Sequence, residues 1–142
     1  MSAQIAWGSI LLGMCSFLHL ILIVGWVGAL KRQFIERIGF SAFMKTGILI
    51  GGTLLLLVVS HTLQIWLWAA VLIWLGALEN LPTAIYFSLV TYTTLGYGDV
   101  ILSDAFKLFG AMASVTGLLN FGISTAFLVA FIGKVLPNNL GD

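Results

Sequence analysis

Charge is what this sequence has least of. Only 8% of its 142 residues are charged, six Lys or Arg against five Asp or Glu. A soluble domain carries about 25%. With 61% hydrophobic residues and a mean hydropathy of +1.13, the chain reads as a bilayer protein. Its length leaves room for one membrane domain and none for a soluble ligand domain. The net charge of +1, with no dense basic run, excludes a nucleic-acid surface. Among the five acids, Glu36, Glu79, Asp99, Asp104 and Asp142, no two fall in an obvious shared site, so no enzyme is expected. The only cysteine is Cys15, inside an apolar run, which excludes an intrachain disulfide. Proline occurs only at 82 and 137, where it marks one helix start and one helix stop.

Long uncharged runs are what the sequence does have. A span needs about 20 apolar residues. Residues 5–30 form the first, too long for a signal-peptide core and with no positive charge in Met1–Gln4. Its Ser9 and Gly13, with Gly25 and Gly28 further on, suit close helix packing. Residues 31–45 hold Lys31, Arg32, Glu36, Arg37 and Lys45, with Phe34, Ile35, Ile38 and Met44 at near-helical spacing. That pattern predicts an amphipathic helix on the cytoplasmic membrane surface. The N-terminus is then external and the C-terminus cytoplasmic, with Lys134 at the inner end. The chain divides into an N-terminal part, 1–45, and a second module, 46–142.

The second module opens with an uncharged run, 46–78, that as a helix reaches about 50 Å against a hydrocarbon core of about 30 Å. Its Trp66, Trp68 and Trp74 fit either an interfacial belt or packing behind a pore. After Glu79, Asn80 and Pro82, residues 82–92 predict a helix too short to cross, hence re-entrant and buried in protein. Its C-terminal end at Thr91–Thr93 aims the negative end of its dipole inward. Ser103 as N-cap and Asp104 in the first turn then open a last span, 104–136, which Pro137 stops.

Between the short helix and the last span lies Thr93-Thr94-Leu95-Gly96-Tyr97-Gly98-Asp99. Glycine at alternate positions permits φ > 0 at every second residue, which keeps successive carbonyls on one side. A row of carbonyl oxygens can replace the hydration shell of a cation. This segment resembles the selectivity filter of the potassium channel superfamily, Thr-Val-Gly-Tyr-Gly-Asp, with Leu95 in place of Val or Ile. The resemblance covers roughly residues 46–136.

The resemblance implies an all-α integral membrane protein with three transmembrane helices per subunit, a re-entrant pore helix and filter between spans two and three, and four copies around one pore. It implies passive, selective K+ conduction, with K+ held by the carbonyls of Thr94, Leu95, Gly96 and Tyr97 and by the Thr94 hydroxyl. Gly98 and Asp99 would finish the outer mouth. Tyr97 would brace against Tyr86 and Phe87. Val90 stands where some members carry a Glu behind the filter, so this filter must be braced another way. The partners expected are the bilayer and three further copies, K+ is the only ion expected, and no organic cofactor is expected. The bareness of the module suggests a bacterial inner membrane. The alternative is a pore-like subunit that does not conduct and acts by assembly with a partner. No span carries regularly spaced Arg, so no voltage sensor is expected in this stretch.

In the last span Gly117 and Gly122 resemble the glycines at which family inner helices bend, and simple close packing is the other reading. Thr116, Asn120 and Ser124 share one face, which either lines a wet cavity or hydrogen-bonds across helices. Phe127, Leu128 and Phe131 are candidates for a hydrophobic constriction. His19 and His61 stand about 18 Å and 24 Å above the inner surface at about 1.5 Å per residue, within reach of each other. A pH sensor or metal pair is conceivable there, and a neutral imidazole bonded to a carbonyl or hydroxyl is preferred.

Overall fold

Four helices account for the regular structure of the computed structural model, which describes residues 2–30 and 41–139. They are α1 (Ser2–Leu30), α2 (Ala42–Trp74), α3 (Leu81–Tyr92) and α4 (Lys107–Asn139). α1, α2 and α4 are long and apolar enough to span a membrane, and α3 is not. The chain is thus an all-α, multi-pass membrane protein. Of the surface helix expected over 31–45, residues 31–40 lie outside the described residues. Residues 42–45 open α2 instead, after Ser41, whose Oγ accepts the Met44 N–H at 3.4 Å.

The helix ends follow local chemistry that hydropathy misses. α2 stops at Trp74 rather than 78, although the uncharged run continues. Gly76 adopts φ +68, and the Gly76 N–H donates to the Ile73 carbonyl while Ala77 donates to Leu72. That paired closure at a left-handed glycine uses up the last free carbonyls. α3 starts as expected: the Asn80 side chain accepts the Thr83 N–H at 2.9 Å, and Pro82 sits in the first turn.

The last helix departs from expectation at both ends. It begins at Lys107, not 104: the N–H groups of Phe106 and Lys107 share the Ser103 carbonyl, but the helical ladder is then interrupted. The N–H groups of Leu108 and Phe109 go to Gln4 Oε1, at 3.1 and 3.3 Å. The amide of α1 therefore caps α4. At the other end α4 runs through Pro137 to Asn139. A proline so near a helix end removes one backbone bond, which costs less there than in the interior.

α1 packs on α4 and α2, and α3 is wedged between α2 and α4. The core at this junction joins Leu11, Cys15, Trp68, Leu72, Tyr92, Leu102, Phe109 and Ala113. Trp68 is buried with its ring 5.2 Å from Phe109, whereas Trp66 and Trp74 are exposed. Of the three, Trp68 is the one that packs inside the subunit. Only 22% of the most apolar stretch of each span is buried, so most of each span faces lipid or another chain.

Candidate functional site

The segment from Thr93 to Asp99 is hung from the C-terminus of α3. Thr94 N–H donates to the Thr91 carbonyl at 3.0 Å. Leu95 and Gly96 N–H both donate to the Val90 carbonyl, at 2.9 and 3.2 Å. No peptide bond is cis. In a trans peptide plane the N–H of one residue opposes the C=O of the residue before it. Three consecutive N–H groups directed at α3 thus turn the carbonyls of Thr93, Thr94 and Leu95 away from it, to one side of the strand.

Positive φ recurs at every second residue: +60 at Thr94, +55 at Gly96 and +77 at Gly98. Gly96 and Gly98 occupy the conformation expected of them. Thr94 adopts it with a β-branched side chain, at a strain of about 1–2 kcal/mol. Such strain persists only where the surroundings over-determine it. Here the Thr93 cap, with its Oγ bonded to the Leu89 carbonyl at 2.8 Å, and the twofold use of the Val90 carbonyl supply that restraint.

The Asp99 end of the segment is held separately. Tyr86 Oη donates to an Asp99 carboxylate oxygen at 2.7 Å. Between α3 and the segment lies a cavity of about 180 Å³, bordered by Tyr86, Phe87, Val90, Gly96, Gly98 and Asp99. Val90 offers this space no polar group. The side chains of Leu95 and Tyr97 are 56% and 69% exposed in the single subunit, so Tyr97 is not packed away within its own chain.

Behind α3 stands α4. A Cβ added at Gly117 would lie 1.9 Å from the Tyr92 carbonyl oxygen, so α4 meets the end of α3 backbone to backbone there. This close approach accounts for a glycine at 117. At Gly122 an added Cβ meets nothing within 4 Å. Ser114 Oγ donates to the Thr91 carbonyl at 2.9 Å, a second tie between α4 and α3. Thr116 bonds back to the Met112 carbonyl of its own helix. Asn120 and Ser124 are buried and bond across helices within the subunit, Asn120 to Gln64 and Ser124 to both histidines. Phe127 and Phe131 pair at 5.7 Å lower on α4.

His19 and His61 do meet, with ring centroids 5.1 Å apart. His19 bonds Ser60 at 2.7 Å and Ser124 at 2.9 Å, and His61 bonds Tyr92 and Ser124, both at 2.9 Å. Among the described residues no group of three or more His, Cys, Asp or Glu converges as for a metal ion. Gln64, Ser60 and the Tyr92 hydroxyl belong to this cluster and were not singled out from sequence. Ser60, His61 and Gln64 fall within one turn of an uncharged span, which is the signal that marks them.

A short apolar helix followed by a segment with positive φ at alternate residues thus lies between two helices long and apolar enough to cross a membrane. The family model described as "Ion channel" (Ion_trans_2) matches residues 48–134, and the chain belongs to this family, within the potassium channel superfamily. Membership of this family points to a channel rather than an enzyme. Curated relatives include the "A-type voltage-gated potassium channel KCND3" of Rattus norvegicus, Oryctolagus cuniculus and Homo sapiens. Each is 31% identical over 61 residues, 42% of this chain. The match spans 9% of the length of each relative. No solved structure matches the chain.

Proposed function

We propose that this chain is one subunit of a homotetrameric, potassium-selective channel. Its ion sites are the carbonyls of Thr94, Leu95, Gly96 and Tyr97, with the Thr94 hydroxyl. The observation that carries this reading is the alternation of positive φ at Thr94, Gly96 and Gly98 on a strand whose N–H groups turn back to α3. A desolvated cation needs several oxygens around it, and fixed carbonyl dipoles can replace its hydration shell. One strand supplies one side of such a cage, and four equivalent strands close it.

The exposure of Leu95 and Tyr97 in the single subunit supports assembly, since large apolar and aromatic side chains left open want a partner. The Leu95 side chain points away from the pore in this reading, and Asp99 stands at the outer mouth. The N-terminus is outside, the C-terminus is cytoplasmic, and the setting is a plasma membrane of the bacterial inner type. The curated relatives' printed names describe potassium channels, which agrees with K+ as the permeant ion.

Ion flux from purified protein in liposomes tests the proposal. Uptake of Rb+ against an outward K+ gradient is expected, with little uptake when Na+ replaces K+. Vesicles that hold their gradient despite assembled protein would instead make it a non-conducting subunit.

A further inference from the structure

α1 lies outside the residues matched by the family model, yet it places His19 fully buried against α2 and α4. The hydrogen bonds around His19 have a direction that can be derived. Gln64 Nε2 donates to the Ser60 backbone carbonyl at 3.2 Å, and a carbonyl cannot donate in return. This fixes the amide, so Gln64 Oε1 accepts from Tyr92 Oη at 3.0 Å and also from Asn120. Tyr92 has one proton and gives it to Gln64, so it must accept from His61 Nδ1–H at 2.9 Å.

The rest follows link by link. A neutral His61 with its proton on Nδ1 leaves Nε2 as acceptor, and Ser124 O–H donates to it at 2.9 Å. Ser124 Oγ then accepts from His19 Nε2–H at 2.9 Å. His19 Nδ1 is left as acceptor for Ser60 O–H at 2.7 Å. Ser60 Oγ in turn accepts from Gln64 Nε2 at 3.4 Å, which closes the circuit. Around the ring each of six groups gives one hydrogen bond to the next and takes one from the last, and Gln64 makes two further bonds, to the Ser60 carbonyl and from Asn120. An added proton on either imidazole would leave one O–H facing an N–H, so the circuit is complete only when both rings are neutral.

We propose that this closed circuit is a brace for the ion pathway, that His19 on α1 is a positioning residue for Tyr92, and that the two histidines are locked in opposite tautomers. Tyr92 is the last residue of α3, its carbonyl abuts Gly117 of α4, and the first strained residue of the next segment, Thr94, follows two positions later. Fixing the Tyr92 hydroxyl therefore fixes the inner end of that segment. The family-matched module alone holds five of the six groups, and the sixth comes from α1. Without His19, Ser60 and Ser124 lose their common partner. As a claim about ion passage, the brace rests on the channel reading above.

The chain has only two histidines, so ring nitrogens labelled with 15N in protein free of histidine tags, reconstituted in bilayers, read the circuit directly. The expected spectrum has two neutral rings, His19 protonated at Nε2 and His61 at Nδ1, assigned by His19→Gln and His61→Gln. Tyr92→Phe removes one link, and the His19 signals should change although that substitution lies on another helix. A common tautomer for both rings, a charged ring at neutral pH, or His19 signals untouched by Tyr92→Phe would overturn the circuit. In liposomes, His19→Gln and Tyr92→Phe should each lower Rb+ flux severalfold, and the double variant should be no worse than either one. Losses that multiply, or no loss from His19→Gln in a conducting parent, would overturn the brace. A parent with the opposed tautomers but no flux would defeat the channel reading instead, leaving the circuit in place.

Discussion

The Tyr86 hydroxyl and the Asp99 carboxylate meet at 2.7 Å and tie the middle of α3 to the Asp99 end of the segment that follows it. The Thr94 end of the same segment hangs from the Val90 and Thr91 carbonyls. The strand is thus clamped at two points, and its positive-φ residues lie between or beside the clamps. Val90 leaves no acid behind the strand, and the Tyr86–Asp99 bond supplies an alternative restraint there.

Tyr86→Phe removes that outer clamp while keeping the ring. Rb+ flux should fall severalfold, and K+ preference over Na+ should weaken, with assembly unchanged. Asp99→Asn retains an acceptor for the hydroxyl and should be milder. Hydrogen bonds to a charged acceptor are about twice as strong as neutral ones. Paired flux measurements on the two variants check the order, and equal, parent-like fluxes would show that the bond does not hold the strand.

Gly117→Ala should be far more harmful than Gly122→Ala. An added Cβ at 117 meets the Tyr92 backbone at 1.9 Å, which no rotamer change relieves. Overpacking of this kind costs about 1–3 kcal/mol. At Gly122 the space is open within the subunit, and Ala gains about 1 kcal/mol in helix propensity. Thermal unfolding in detergent should show a lower midpoint for Gly117→Ala and an unchanged or higher one for Gly122→Ala. If Gly122→Ala folds well but conducts less, a bend at 122 becomes the explanation.

Gln4→Ala should loosen the start of α4. The side chain accepts from two first-turn N–H groups and donates to the Asp104 carbonyl. Loss of a helix cap costs about 0.5–2 kcal/mol, toward the lower end at so exposed a site. Hydrogen exchange at Leu108 and Phe109 should accelerate. The neighbouring Asp104–Lys107 pair, at 2.7 Å, holds the Asp104 carboxyl below its usual range. A lowered folded-state value means that its stabilisation is present at neutral pH and is lost as acid protonates the group, below about pH 4. Being fully exposed, the pair adds little, and Asp104→Asn should barely move the neutral-pH midpoint.

The proposed topology, with the N-terminus outside and the C-terminus inside, needs an odd number of spans, and three apolar helices are found. A reporter fused after Asp142 should be cytoplasmic, and a tag before Ser2 should react with an impermeant reagent added outside. Both ends on one side would require an even number of spans, against the three apolar helices found.

Much of this was legible in the residues. Hydropathy located all three spans, and Asn80 with Pro82 located the start of the short helix. Gly96 and Gly98 announced the left-handed backbone. What escaped depended on contacts between distant residues. Gln4 caps a helix that begins a hundred residues later, and α4 therefore starts at Lys107 rather than at Asp104. The end of α2 was readable from Gly76, but an uncharged run masks a glycine cap. Thr94 at φ +60 carries no sequence signal, since threonine disfavours that region and adopts it under restraint from α3. The face of Asn120 and Ser124 was visible as polar, while its inward direction came only from the packing of α1 and α2.

The central claim is that alternate left-handed residues present one row of carbonyls to the ion, and Gly96 tests it most directly. A Cβ there meets no atom within 4 Å in the subunit, so Gly96→Ala should fold and assemble. Its burden is the positive φ, about 1–2 kcal/mol for each strained residue and repeated in every subunit around the pore. The measurement is Rb+ uptake with K+ or Na+ inside, made on Gly96→Ala and parent protein in the same liposome preparation. The account predicts severe loss of flux or loss of K+ preference in the variant, with an unchanged oligomer. Parent-like flux with an unchanged preference for K+ over Na+ would contradict it, because the segment would then not be a carbonyl filter.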